Sequence, residues 1–327
     1  MIEWESMTLW PAVGVMAGAF VVLAKCADWL VEGAIDIARQ LKLPPMLIGI
    51  VIVSIGTTAP ELAVSMRAAL EGSAELALAN AIGSVIYDDG LALPLVAFLA
   101  PVVVVLDRRV LRSTALFLIA VDLVAYAMCF DGTLDRPEGM VLLLGFCGYL
   151  FYQYWQQRGR KAATEEEIGE DVRPWSRIFL LFAVGLVGVL ISSHGIVEAA
   201  NVISRELEVT ATIIGLILVA LGTSVPEIAT CIVSARKGHG SLAVGNILGA
   251  DILNICWVAG ASAVANDLVI PQELMHFMFS SMLVIVVSML VLLRMNHRFE
   301  KWKGALLLCL CVAYLVTVLM RESSGVS

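Results

Sequence analysis

Charge is scarce in this chain. Only 15% of its 327 residues are Asp, Glu, Lys or Arg, 60% are hydrophobic, and the mean hydropathy is +0.90. A soluble domain of this size does not need that composition, and long apolar runs recur throughout, so the sequence predicts a polytopic membrane protein. The opening residues MIEWES lack Lys and Arg and no small-residue cleavage site is evident, so no removable signal peptide is expected. Histidine is limited to His194, His239, His276 and His297, which form no ligand pair; His194, in an apolar segment, reads as a helix-packing residue. Cys26, Cys129, Cys147, Cys231, Cys256, Cys309 and Cys311 show no CxxC spacing, which argues against a zinc site or a disulfide framework, and they read as small buried hydrophobes. No Walker motif or phosphorylation domain supports an ATP-driven pump, and no GxGD motif supports an intramembrane aspartyl protease. Nucleic-acid binding has no support, and neither an enzymatic activity, a cofactor nor a protein partner is implied. The formal charge of −8 says little about partners, because basic residues here serve topology.

Against that apolar background stands GTTAPE, residues 56–61. At 3.6 residues per turn Thr57 and Glu61 share a helix face, with Thr58 close to it. Pro60 lacks an amide hydrogen and crowds the carbonyl of Gly56, so a broken helix is expected there. Hydroxyls, a carboxylate and freed carbonyls are hard oxygen donors, suited to Na⁺ or Ca²⁺ and not to soft metals. An acid at this depth marks an ion or substrate path by default.

The pattern recurs as GTSVPE, residues 222–227, at an offset of 166 (227 − 61). Without a gap, Gly49 aligns with Gly215, Ala63 with Ala229, Gly72 with Gly238, Asn80 with Asn246, Gly83 with Gly249 and Asp88 with Asn254; Glu32 and Glu198 fall on the same offset. This is an internal repeat. Ten spans can be drawn, near 9–37, 45–69, 74–98, 109–129, 137–157, 176–203, 210–234, 241–264, 273–293 and 303–320, the first and sixth long enough to tilt or overrun the bilayer. Residues 101–106 read as a loop or short half-span. With the N-terminus outside, 16 of the 21 Lys and Arg fall in cytoplasmic connections, four outside (Arg67, Arg136, Arg205, Arg321) and Lys25 within the first span, which places both termini outside. Five spans per copy is an odd number, so the copies are inverted. The expected architecture is all-α, with ten transmembrane helices as two inverted five-helix repeats, 1–157 and 176–327. They are joined by a cytoplasmic linker, 158–175, whose acidic run reads as solvated chain.

Each copy carries a second motif one span later, NAIGSVIYDD (80–89) and NILGADILN (246–254). Ser84 and Asp88 lie four apart on one helix face, as do Ala250 and Asn254. If the repeats cross at these motifs, Glu61, Glu227, Asp88 and Asn254 converge with Thr57, Thr58, Thr223, Ser224 and Ser84. Asp89 points about 100° away from Asp88, and Asp251 is expected to hydrogen-bond locally or face a water-filled path. Asn80 and Asn246 are expected to pack or hydrogen-bond between helices, with direct ligation as the alternative, and Glu32 and Glu198 to form interfacial salt bridges or be solvated rather than bind ions.

In these paired motifs the chain resembles the cation/calcium exchanger superfamily, specifically its sodium/calcium exchanger branch, over both repeats and nearly its whole length. The resemblance implies that Glu61 and Glu227 bridge the central ions and that Thr57, Thr58, Thr223 and Ser224 supply hydroxyl ligands. Asp88 and Asn254 occupy the family's Asx positions, and the carbonyls of Ser54 and Ala220 complete the set. It also implies alternating access, with 9–37 and 176–203 sliding across a fixed core; the small loops and the absence of a regulatory domain suggest a prokaryotic plasma membrane. The chain departs from the pattern at Ala79, Val85, Ala250 and Asp251, and Asp89 is an added acid. The expected function is secondary antiport of Ca²⁺ against Na⁺. A cation/H⁺ exchanger of the same superfamily stays open, because clustered acids can also carry protons, as does K⁺ involvement. A passive channel or an ion-binding membrane protein is the remaining alternative.

Overall fold

Two long helices flank a core of broken ones. The computed structural model describes residues 7–157, 173–206 and 220–323. Residues 158–172, most of the expected linker, and 207–219, the start of the expected 210–234 span with Gly215, lie outside the described residues. Helix α1 (Leu9–Leu41) ends on Lys42 in the left-handed region, and α2 (Pro45–Ile48) begins with a proline where no amide hydrogen is needed. A π-helical turn, Gly49–Val53, leads into α3 (Ser54–Thr57), and after a break at Thr58 α4 (Ala59–Leu70) continues at a 45° bend. Next come α5 (Ala74–Tyr87), a π turn (Asp88–Ala92), α6 (Leu93–Leu99), α7 (Arg108–Met128) and α8 (Arg136–Gln157). Asp107 caps α7 by accepting from the amides of Arg109 and Val110 at 2.8 and 3.0 Å. The second copy supplies α9 (Trp175–Glu206), α10 (Ala220–Thr223), α11 (Val225–Arg236) and α12 (Gly240–Leu253). A π turn (Asn254–Ala259), α13 (Gly260–Ala265), α14 (Gln272–Arg294) and α15 (Lys301–Ser323) follow.

Among the described residues seven helices are long and apolar enough to cross a membrane, eight if the bent pair Pro45–Thr57 and Ala59–Leu70 is one span. Helix α8 has the length of the expected 137–157 span but not the apolarity, being interrupted by Glu138, Gln153, Gln156 and Gln157. At 1.5 Å per residue the 33-residue α1 and 32-residue α9 reach about 50 Å, well beyond a hydrocarbon core of about 30 Å. They pack along each other, apart from the large core cluster of the remaining helices. The acidic ladder Asp28, Glu32 and Asp36 on α1 is tied down from outside. Arg173 donates to Glu32 at 2.9 Å and to Asp36 at 3.2 Å, and Lys237 pairs with Asp28 at 2.5 Å and Glu32 at 3.0 Å. Glu32 thus takes the interfacial role expected of it.

The two copies meet through reciprocal contacts. Strand β1 (Val104–Val105), inside the stretch read as a loop or half-span, pairs antiparallel with β4 (Arg298–Phe299), and β2 (Thr133–Leu134) pairs with β3 (Leu268–Val269). Each ribbon takes one strand from each copy. In the interior, Gly49 of the first copy lies against the backbone of Leu242 and Asn246, while Gly245 and Gly249 of the second lie against Met46 and Ile50. A Cβ at any of these positions would collide with backbone, which is why small residues stand there.

Candidate cation site

Pro60 and Pro226 create the site. Each sits in the first turn of its helix, where its missing amide and its ring end the helix before it. The residue at each break adopts nearly the same conformation, φ −80° and ψ 3° at Thr58, φ −77° and ψ 3° at Ser224. The breaks turn Glu61 and Glu227 into the protein interior, at 1% and 0% exposure. The π turns starting at Asp88 and Asn254 finish the crossing. The Asp88 turn packs against α11, the helix of Glu227, and the Asn254 turn packs against α4, the helix of Glu61. Such one-turn π segments are frequent where a helix must re-aim a functional side chain.

The hydroxyls and amides form a reciprocal lattice around the two glutamates. Thr57 donates to Asn246 Oδ1 at 3.4 Å, and its counterpart Thr223 donates to Asn80 Oδ1 at 3.2 Å. Asn80 Nδ2 donates to the Glu61 carbonyl at 3.2 Å and to Ser65 at 2.9 Å; Asn246 Nδ2 donates to Thr230 at 3.1 Å. The two asparagines therefore brace the site between helices, as expected of them. Thr58 donates to Glu227 Oε1 at 3.2 Å, and Ser84 and Thr223 share a hydroxyl contact at 3.5 Å. The equivalent contact to Thr57 is absent, because Ala250 stands opposite Ser84 in the repeat. Ser54 and Ala220 open the short helices α3 and α10, in matching positions ahead of the threonines. The Ser54 carbonyl accepts from the Thr58 amide at 2.9 Å and, more weakly, from the Thr57 hydroxyl at 3.4 Å.

Several oxygens remain without donors. Both carboxylate oxygens of Glu61 and of Asp88, Oε2 of Glu227, Oδ1 of Asn254 and Oγ of Ser224 are buried with no hydrogen-bond partner. Glu61 lies within electrostatic range of Glu227 and Asp88, with Thr223 facing it, and Ser224 faces Asp88. All the expected side-chain donors are thus at one locus, rich in acceptors and poor in donors. Carboxylates alone do not close a cage here: among the described residues no three His, Cys, Asp or Glu side chains could hold a metal ion. A cation at this locus would draw on hydroxyl, amide and carbonyl oxygens as well, which is the donor chemistry of Na⁺ and Ca²⁺.

Three expectations need correction or addition. Asp251 faces the Asp89 carboxyl on the neighbouring turn, with which it shares a hydrogen bond when one of the two carries a proton; no hydroxyl or amide donor reaches its buried oxygens. A carboxylate can only accept, and the amides around it in α12 are spent within the helix. Cys147 and Cys309 are exposed, not buried, on the outward faces of α8 and α15. Asp122 on α7 was not singled out from the sequence, yet it is fully buried with both oxygens unpartnered. The signal was available: a lone acid deep in an apolar span.

Comparison with known proteins follows the same line. The sodium/calcium exchanger protein family matches residues 11–155 and 177–320. Inner membrane protein YrbG of Escherichia coli is 33% identical over 270 residues, covering 80% of this chain and 81% of that protein. Sodium/calcium exchanger MaX1 of Methanosarcina acetivorans is 25% identical over 335 residues, 91% of this chain and 95% of that one. Among solved structures, the sodium-calcium exchanger NCX_Mj superposes with a TM-score of 0.80 at 26% identity, covering 95% of this chain and 99% of that chain.

Proposed function

The chain belongs to the sodium/calcium exchanger family, and from that premise we propose that it couples Na⁺ entry to Ca²⁺ exit through the centre formed by Glu61 and Glu227. The observation that carries the reading is the pair of fully buried glutamates whose three donor-free oxygens are surrounded by Thr57, Thr58, Thr223, Ser224 and Ser84. Two negative charges with neutral oxygens around them match one dehydrated divalent ion, or Na⁺ ions in its place. Asp88 and Asn254 add one oxygen-bearing side chain from each copy, and the carbonyls of Ser54 and Ala220 extend the ligand set along the broken helices.

The proposal includes the architecture that makes exchange possible. Ten spans form two inverted repeats of five, both termini lie outside, and residues 158–175 are cytoplasmic in a prokaryotic plasma membrane. Antiparallel ribbons and reciprocal hydrogen bonds between the copies support this arrangement, because self-complementary halves give each other the same contacts. Alternating access then follows from motion of α1 and α9, which pack along each other outside the core, past the fixed crossing of broken helices.

A second reading, cation/H⁺ exchange, is favoured by Asp89, Asp122 and Asp251, buried acids with no partner in the hydroxyl lattice. One experiment separates the two. Purified protein in liposomes is given ⁴⁵Ca²⁺ with an imposed Na⁺, H⁺ or K⁺ gradient, in parallel. Uptake driven by outward Na⁺ alone is the expected result. Uptake driven by a proton gradient alone selects the second reading, and gradient-independent equilibration rejects exchange altogether.

A further inference from the structure

The C-terminal end of α1 borders a cleft of about 560 Å³ that the exchange reading does not use. Three membrane-length helices end or begin beside it, α1 at Leu41, α7 at Arg108 and α12 at Gly240, so the cleft lies at the membrane boundary and not within the hydrocarbon. Every titratable side chain on its wall among the described residues is basic: Arg39 and Lys42 from the end of α1, and His239 ahead of α12. Among the described residues Lys42 forms no ion pair. Arg39 has a 3.4 Å contact with Asp36, whose other oxygen Arg173 already holds at 3.2 Å. The positive charge of the wall is thus largely unanswered. Much of the remaining wall is aliphatic. Val102, Val103 and Val105, in the connection between α6 and α7, are 68%, 48% and 64% exposed. Facing water these side chains would be unfavourably hydrated; facing acyl chains they are not. Cations over an aliphatic lip at the membrane boundary match a phosphate headgroup carrying hydrocarbon chains. Basic pockets between membrane helices hold acidic lipid headgroups in this way. A soluble anion would meet the same charges but gain nothing from the valines.

We propose that this cleft binds an acidic phospholipid, with its phosphate between Arg39 and Lys42 and its chains against Val102, Val103 and Val105. No residue of the Glu61 and Glu227 centre lines it, so the two sites are separate. The lipid site does not rest on the exchange reaction. The proposed topology decides only which leaflet supplies the lipid, and the Lys and Arg bias makes it the cytoplasmic one.

The test uses the full chain in detergent, titrated with phosphatidylglycerol or phosphatidylcholine and read by native mass spectrometry. Phosphatidylglycerol is expected to bind in preference to phosphatidylcholine. Arg39→Gln/Lys42→Gln should raise its Kd about tenfold or more. If that variant is not monodisperse, Lys42→Gln alone should raise it about fivefold. Arg109→Gln removes an exposed cation of α7 that does not line the cleft, and should leave the Kd unchanged. Excess inorganic phosphate should not displace the lipid. Binding untouched by the cleft substitutions overturns the proposal. An equal loss in Arg109→Gln also overturns it, because the lipid then answers diffuse surface charge. Displacement by phosphate makes the cleft a soluble-anion site and overturns the lipid assignment. Lipid bound only after Glu165, Glu166 and Glu167 are replaced by Gln makes the chain's own linker the occupant and overturns it as well. The ⁴⁵Ca²⁺ gradient assay reads the exchange reaction separately, so either proposal can fail alone.

Discussion

An acid inside a membrane protein persists only if something answers its charge. In this chain the answers differ from residue to residue. Glu227 receives one hydrogen bond from Thr58; Glu61 receives none. The glutamines at these positions would keep the shape and remove the charge. Glu61→Gln and Glu227→Gln are each expected to reduce Ca²⁺ uptake into liposomes by about a hundredfold or more, because a divalent ion then faces a single full charge and a poorer amide ligand. Both proteins should still elute as monodisperse species, since an amide can find donors and acceptors among the surrounding hydroxyls and asparagines. Near-normal uptake by either purified variant would remove that glutamate from the ion path. The sequence disclosed these two residues because each stands in a duplicated hydroxyl-proline setting. Asp122 was not legible in the same way, since it has no repeat partner and no motif around it. Only its place within electrostatic reach of Asp89 and Asp251, on neighbouring elements, shows that it belongs with other acids.

At the scale of the helix, the breaks at Thr58 and Ser224 follow from proline chemistry and were readable in advance. The π turns at Gly49, Asp88 and Asn254 were not, because widening a helix by one residue leaves the apolar pattern unchanged. The two-residue strands were equally silent, being too short to show alternation and defined only by a distant partner. What the sequence did show, without saying why, was glycine at matched positions. Outside those pairs stands Gly245, whose counterpart is Ala79; it lies where α12 meets the backbone of Met46, and a side chain there would strike the Met46 carbonyl. Gly245→Val is therefore expected to lower stability by about 1–3 kcal/mol, or to prevent assembly, through forced separation of α2 and α12. A thermal unfolding scan in detergent checks this. An unchanged midpoint would mean that the two helices do not approach as closely as the contact requires. Gly18 on α1, with open space around its Cα, is the control position where the same substitution should be tolerated.

For the molecule as a whole, the decisive question is the relation of the two copies to the membrane. Gly72 and Gly238 close the same turn in each copy, both at φ +81°, so Glu71 and Arg236 lie on equivalent exposed connections. If five spans separate each copy's start from the next, these connections face opposite sides, and the Lys and Arg bias places Arg236 in the cytoplasm. In a background with all seven cysteines replaced, including the exposed Cys147 and Cys309, a single cysteine at position 71 should react with an impermeant maleimide applied from outside whole cells. A cysteine at position 236 should react only after the membrane is opened. Loss of Glu71 costs little, since its partner is the exposed Arg67 and such solvent-screened surface pairs contribute little to stability. Loss of Arg236 breaks no ion pair among the described residues. Labelling of both positions from the same side would mean an even number of crossings between them. The copies would then be parallel, the reciprocal contacts at Thr57–Asn246 and Thr223–Asn80 could not arise from inversion, and alternating access about a central crossing would lose its structural basis.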